Sequence, residues 1–432
     1  MADRLAIEII DLDGGSIGSI ITQMALEYPR NSRSVRWRIR RGIRSLDEAK
    51  TWVRRHGWGA LVINEGASQR LDSAMAIDAE YNPYDALTVI QSSGRHPIGE
   101  EIFIQPTLST FAYKASLAYS LRFVRDFVAD GNQVPTADDG TPSDNFLKTM
   151  AQPVAFRTVD VAPFSIPLAS LIYLFNFLVL LLCTIGVLIA WKLTSFRFFL
   201  KVKYCQIWVA ALGLTTCWCL AFGLYSALAF LAFKGPDYRA DHQALPFTFG
   251  RFMCIWMTAT IVVMAVALWL LSWFLILTPE FVGLASVITV LSNIASQIVP
   301  VEQTPRFFRW FYALPFFNGS MLYRYILSGG YPKVGMNLGV ILGEIVIMAA
   351  VLAAATRFRQ FTVINGISDM SGWYRGGMFF HSPIPHYKAP GVEKAPAAAP
   401  HKALWLGGPR RPLSIADSVN DYASMKDGNL GV

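Results

Sequence analysis

Apolar residues are distributed in two regimes along the chain. Up to about residue 160 they come in short runs broken by charges, whereas beyond it they form unbroken stretches. The short runs read as alternating strands and helices. Leu5 to Leu12 is Ile-rich and ends in the turn signal Asp13-Gly14-Gly15, after which Ser16 to Leu26 has helical spacing. Val35 to Ile39 alternates, with Arg36, Arg38 and Arg40 on the face opposite Val35, Trp37 and Ile39, as a half-buried strand does. Leu46 to Arg55 reads as a helix, Gly59 to Ile63 as a short buried strand, and Pro106 to Ala129 as a long amphipathic helix. Residues 130 to 145 have loop composition, and Pro153 to Pro167 leads into the second regime.

A helix needs about 20 consecutive apolar residues to cross the hydrocarbon layer. Ile166 to Trp191, Cys205 to Phe233 and Phe252 to Leu277 meet that length without a charge. Phe281 to Val299 is shorter and carries Ser292, Asn293, Ser296 and Gln297, and Leu338 to Thr356 carries Glu344. The expected architecture is therefore an α-helical multispan membrane bundle with an N-terminal α/β domain outside the cytoplasm. Residues 1 to 160 form that domain, and 161 to 357 a membrane part of about five helices (166–191, 205–233, 252–277, 281–299 and 338–356) ended by Arg357 and Arg359. Residues 358 to 432 form a disordered cytoplasmic tail, because Pro, Ala and Gly dominate 383 to 413 and bury too little apolar area to offset ordering.

Charge orients this arrangement. Lys192, Arg197, Lys201 and Lys203 make the loop after the first span basic, so it is expected to be cytoplasmic, with the head outside or in a lumen, in the plasma membrane or an endomembrane. Residues 1 to 160 hold 18 basic and 20 acidic side chains, and the rest 20 and 10, so the net charge of +8 belongs to the membrane part and tail. That distribution argues against a nucleic-acid partner.

The candidate chemistry is sparse. All five Cys lie in or beside the spans, which leaves the head without a disulfide framework. The six His lack metal-ligand spacing, no GxxxxGK[ST] phosphate loop is present, and no metal or other cofactor is expected. Asp11-Leu12-Asp13 after an apolar strand has the spacing of haloacid-dehalogenase phosphatases. The later strands such an enzyme requires are missing, so a backbone turn is the preferred reading and no enzyme activity is expected. Gly335, Gly339 and Gly343 share a helix face and are read as helix-packing residues. Glu344 beside them is read as a proton relay or as a protonated partner of a neighbouring helix. Asn318-Gly319-Ser320 is the single N-glycosylation sequon, in a loop assigned outside.

Ala6 to Gly18, Trp58 to Ser68, Tyr84-Asp85-Ala86, Arg95, and Val159-Asp160 with Pro163 resemble the fungal nitrosoguanidine-resistance membrane proteins. That family is in turn similar to the YhgE/Pip proteins and to the membrane halves of type-2 ABC exporters. Pro305 to Gly330 looks like the aromatic outer loop of such permeases. The resemblance implies a permease-like protein for export of, or resistance to, toxic small compounds. A non-transporting receptor or scaffold whose head binds a partner is the alternative. Expected partners are membrane lipid, an unidentified small-molecule substrate, and a homo-oligomeric copy or a separate energising protein. The family also places a transmembrane helix before the first strand. This chain enters its strand directly after Met1-Ala2-Asp3-Arg4, with ten basic residues from Arg30 to Arg55 that resist translocation, so an N-terminally shortened form is expected.

Overall fold

A computed structural model describes residues 5–28, 35–77, 80–131, 134, 143–164, 166, 169–194, 202–233, 245–298, 300–330 and 333–364. The head is built on strands β1 (Ala6–Asp11), β2 (Arg36–Ile39), β3 (Gly59–Ile63), β4 (Leu87–Gln91) and β5 (Phe156–Asp160), hydrogen-bonded in the order β2-β1-β3-β4-β5. Only the β3 and β4 pair is antiparallel, with Leu61 opposite Val89; the other pairs are parallel. β3 is buried at every residue, which is why its sequence, GALVI, runs apolar without alternating.

Helices α1 (Ser16–Glu27), α3 (Ala67–Ile77) and α4 (Gln105–Ala129) cover one face of the sheet, where Ile17, Ile21, Leu71, Leu108 and Phe111 pack on Ile7, Ile9, Leu61 and Val89. Helix α2 (Leu46–Arg55) covers the other with Ala49 and Val53 on Ile10, Val62 and Ile90. Its ends follow from the sequence: the Ser45 hydroxyl caps the Glu48 N–H, acids occupy the first turn, and Arg54 and Arg55 the last. A short helix, α5 (Asp144–Ala151), precedes β5.

The second part is helical: α6 (Ala169–Thr194), α7 (Tyr204–Ala232), α8 (Phe249–Ile276), α9 (Pro279–Ile298), α10 (Pro315–Ser328) and α11 (Val334–Ile364). Among the described residues four helices are long and apolar enough to cross a membrane, at Tyr204–Ala232, Phe249–Ile276, Phe281–Ile298 and Val334–Thr362. In α6 the side chains are described over Asn176–Ile189, an apolar stretch of shorter length. α8 lies at the centre, most of it buried, because α6, α7, α10 and α11 all pack around it. Gly223 of α7 permits the closest approach: a Cβ there would meet the Thr260 side chain and come within 2.9 Å of the Trp256 carbonyl.

Three sequence expectations need correction. α3, β4 and β5 carry no element in the sequence reading, yet they complete the sheet and its cover. Pro305 to Gly330 is more than a loop, since after a 3-10 segment at Arg306–Ala313 it folds into α10, with Phe316 and Tyr323 stacked on Phe177 at 4.9 and 5.0 Å. The last helix does not stop at Arg357 and Arg359; it continues to Ile364, because Arg357 lies over the Tyr204 ring and Gln360 donates to the Val202 carbonyl at 3.2 Å. Residues 365 to 432, which hold nearly all of the expected tail, and the basic loop residues Arg197 and Lys201 fall outside the described residues.

Candidate functional site

The carboxyl ends of β1 and β3 form one polar cluster. Here the chain leaves β1 towards β2 on one side and β3 lies on the other, the place where open α/β sheets hold ligands. It is filled by the protein's own groups. Asp11 Oδ1 accepts the Asp13 and Gly14 N–H groups, both at 3.0 Å, and fixes the turn. Asp13 accepts the Ser68 N–H at 2.9 Å, the Ser68 hydroxyl at 2.5 Å and the Gly15 N–H at 3.1 Å, so it caps the start of α3. Ser68 Oγ in turn accepts from the Ile17 N–H and the Ser16 hydroxyl. Both carboxylates thus shape backbone, as the turn reading expects. The second Asp pair, Asp138-Asp139, lies outside the described residues.

A second polar cluster lies where the head meets the helices. Ser92 to Glu100 connects β4 to α4 by a turn at Pro97–Gly99 and a π-helical turn at Glu100–Ile104, a local irregularity often found at functional sites. The segment is pinned to the helical part at several points. Arg324 of α10 donates to the Arg95 carbonyl at 3.0 Å, and Arg54 of α2 donates to the Gly329 carbonyl at 3.3 Å. Gly94 lies so close to Ser328 and to the Ala162 carbonyl that a Cβ would overlap both. Gly99 abuts Pro300, just past the end of α9, where a Cβ would come within 2.8 Å of the ring. Arg95 itself is held by the His56 and Gly57 carbonyls at 2.6 and 2.8 Å and stacks on Trp58 at 4.4 Å.

Inside this junction several buried side chains have polar atoms outside hydrogen-bond geometry. Among them are Glu100, 2% exposed, at both carboxyl oxygens; His96, 3% exposed, at Nε2; Gln297 of α9, 1% exposed, at both amide atoms; and Ser92 at its hydroxyl. Burial pushes the Glu100 carboxyl up to about 8, helped by Asp160 and opposed by the Ser92 backbone and Arg95. Burial holds His96 well below its ordinary value, and Arg324 and Arg95 add to the effect, against the backbone at His96 and Gln297. At neutral pH the pair is a carboxylic acid beside a neutral imidazole.

Gln297 ends a polar row. Ser286, Thr289, Asn293, Ser296 and Gln297 share one face of α9, and all are buried, while Leu284, Val287, Ile288 and Leu291 on the opposite face are exposed. The row faces the protein: Thr289 accepts from Trp269 at 3.3 Å, and Asn293 Oδ1 accepts the Phe316 N–H at 3.4 Å. A separate buried network joins Asn176, Ser226 and Tyr323 across α6, α7 and α10, with Ser226 to Tyr323 at 2.9 Å.

A family model for proteins of unknown function, DUF3533, matches residues 2–350. The chain belongs to the DUF3533 family. Comparison with the curated proteins and with the solved structures gives no match. In this DUF3533 chain the residues singled out from sequence lie away from the junction. Gly335, Gly339 and Gly343 are exposed on α11, and among the described residues nothing lies within 4 Å of a Cβ placed at any of them. Glu344 is half-buried on the same helix, with Oε2 unpartnered. Asn318 sits inside α10, 1% exposed, and its Nδ2, the atom a glycan would occupy, donates to the Tyr312 and Leu314 carbonyls. Among the described residues no group of three or more His, Cys, Asp or Glu side chains could hold a metal ion.

Sequence reasoning passed over His96 and Glu100 because it tested His only for metal spacing. One signal was legible, since the polar residues of Phe281 to Val299 repeat every three or four positions and thus fall on one face.

Proposed function

We propose that this DUF3533 protein is an integral membrane protein of permease type that exports, or confers resistance to, toxic small compounds, as the resemblance to nitrosoguanidine-resistance proteins implies. The observation that carries the reading is the inward polar face of α9. Ser, Thr, Asn and Gln in a membrane helix turn away from lipid, where they bond neighbouring helices or line a path for polar solutes. α9 exposes Leu284, Val287, Ile288 and Leu291 and buries Ser286, Thr289, Asn293, Ser296 and Gln297, a polar row that ends beside Pro300, where Gly99 of the head packs. The test is efflux from vesicles that hold the full-length protein and are loaded with a panel of toxic compounds that includes nitrosoguanidine. Efflux faster than from protein-free vesicles, slowed by Asn293→Leu, supports the reading; no protein-dependent efflux of any compound rejects it.

A receptor or scaffold role has its own supporting observation. Tyr113, Leu117, Leu121, Val124 and Val128 form an exposed apolar row along α4, spaced three or four residues apart. A stable complex made by the head, without flux, would favour that reading.

A further inference from the structure

We propose that Glu100 is a proton-binding site that latches the head to α9 and α10, and that loss of the proton releases the latch. The assignment does not depend on transport; if the transport reading holds, it makes the proton the coupled ion.

The geometry carries the argument. Glu100 lies in the π-helical turn that begins directly after the Pro97–Gly99 turn packed on Pro300, so it sits at the hinge between the head and the end of α9. Both of its oxygens are buried outside hydrogen-bond geometry of any described donor, the nearest help to the charged form being the Ser92 backbone, which burial outweighs. A carboxylate in such a place would carry an uncompensated charge, whereas a protonated carboxyl carries none. Two charged groups act on it: Arg95 on its own segment and Asp160 at the end of β5. Arg95 offsets its burial only in part, with the guanidinium also bonded to the His56 and Gly57 carbonyls and stacked on Trp58. Asp160 accepts the Ser93 and Ala162 N–H groups, as a carboxylate does, and so places negative charge beside Glu100. The upward shift of the Glu100 carboxyl agrees with this placement.

His96 is fixed in one tautomer. Its Nδ1 accepts the Gly99 N–H at 3.0 Å, which leaves the ring proton on Nε2. Protonating Nδ1 would set one N–H against another and break the cap of the Pro97–Gly99 turn. The imidazole therefore stays a neutral donor, and Glu100 is the member of the pair that exchanges a proton. In that step the Glu100 O–H bond breaks, the proton passes to a water entering the junction, and the carboxylate that remains draws in further water. Hydration of the junction then loosens Gly99 from Pro300 and the Arg95 carbonyl from Arg324.

The test uses the full-length protein in lipid nanodiscs, in a Glu344→Gln background so that the half-buried carboxyl of α11 does not contribute. Infrared difference spectra between pH 6 and pH 9 are expected to show loss of a buried carboxylic acid carbonyl band, and the band should vanish in Glu100→Gln. Amide hydrogen exchange over residues 92–99, corrected for intrinsic rate, is expected to rise at least tenfold over the same range and to stay flat in Glu100→Gln. A band that persists in Glu100→Gln, or no such band, overturns the proton site. A band that titrates while exchange stays flat overturns the latch. Equal pH response in Glu100→Gln and its parent overturns both, and none of these outcomes depends on whether the protein transports anything.

Discussion

The two polar clusters of the head differ in how completely they are satisfied. At the ends of β1 and β3 each carboxylate meets donors from the turn or from Ser68, so its negative charge stabilises backbone that the sequence has placed around it. At the junction, Glu100, His96 and Gln297 are more deeply buried, yet both Glu100 oxygens, both Gln297 amide atoms and His96 Nε2 lie outside hydrogen-bond geometry. Buried polar groups in folded proteins are nearly always paired, and an unpaired one costs about 1 to 3 kcal/mol. A protein retains such a cost where the group has work to do in another state. The difference therefore assigns structure to the first cluster and change to the second.

The largest effect is expected from breaking the satisfied cluster. Asp13→Ala removes three accepted hydrogen bonds and the cap of α3, and should destabilise the head by about 2 to 3 kcal/mol. Thermal unfolding of the full-length protein followed by near-ultraviolet circular dichroism measures it, and an unchanged midpoint would place Asp13 outside the stabilising network. Next comes Arg324→Gln. It shortens the side chain that bonds the Arg95 carbonyl and should cost about 1 to 2 kcal/mol, read as increased protease cleavage between head and helices.

Glu100→Gln sharpens the comparison because its effect depends on pH. The Glu100 carboxyl is raised from 4.5 to about 8 in the folded protein, so the stability gained from its protonated form is complete below pH 4.5 and is lost as pH rises through 8. His96 acts the other way, since its folded value lies below its ordinary 6.5 and stability is lost as pH falls below that value. In a Glu344→Gln background, which removes the half-buried carboxyl of α11, the melting temperature should fall between pH 6.5 and 8, and adding Glu100→Gln should flatten that fall. The smallest effect is expected at Gly339, where a Cβ meets open space and a helix-interior glycine becomes a better helix former. Gly339→Ala should raise stability by up to about 1 kcal/mol, which unfolding in detergent can measure. A loss instead would show that the glycine face is covered by something outside this chain.

Much of the fold was legible because its signals are local. The Ile-rich run before Asp13-Gly14-Gly15, the alternation of Val35 to Ile39 and the long apolar stretches each report on themselves locally. α3 escaped notice because ASQRLDSAMAI has little apolar periodicity, and β5 because FRTVD is half exposed and polar. α10 looked like a loop because aromatic residues and Pro305 and Pro315 surround it, and only packing on Phe177 makes it a buried helix. The junction was hidden for a different reason. His96 and Gln297 are about 200 positions apart in sequence, so their meeting depends on the head docking against α9 and α10, which no local pattern records.

The central claim is that the functional polar route runs along the inward face of α9 to the junction. Cysteine scanning of α9 tests it most directly, in a full-length protein whose five native cysteines have been replaced, with a membrane-impermeant thiol reagent applied from the head side. The account predicts labelling at 289, 293 and 296, increasing from pH 6.5 to 8.5 by more than the growth in thiolate fraction supplies, and none at 284, 287, 288 or 291. Labelling confined to the second set, or absent from the first at every pH, would contradict it.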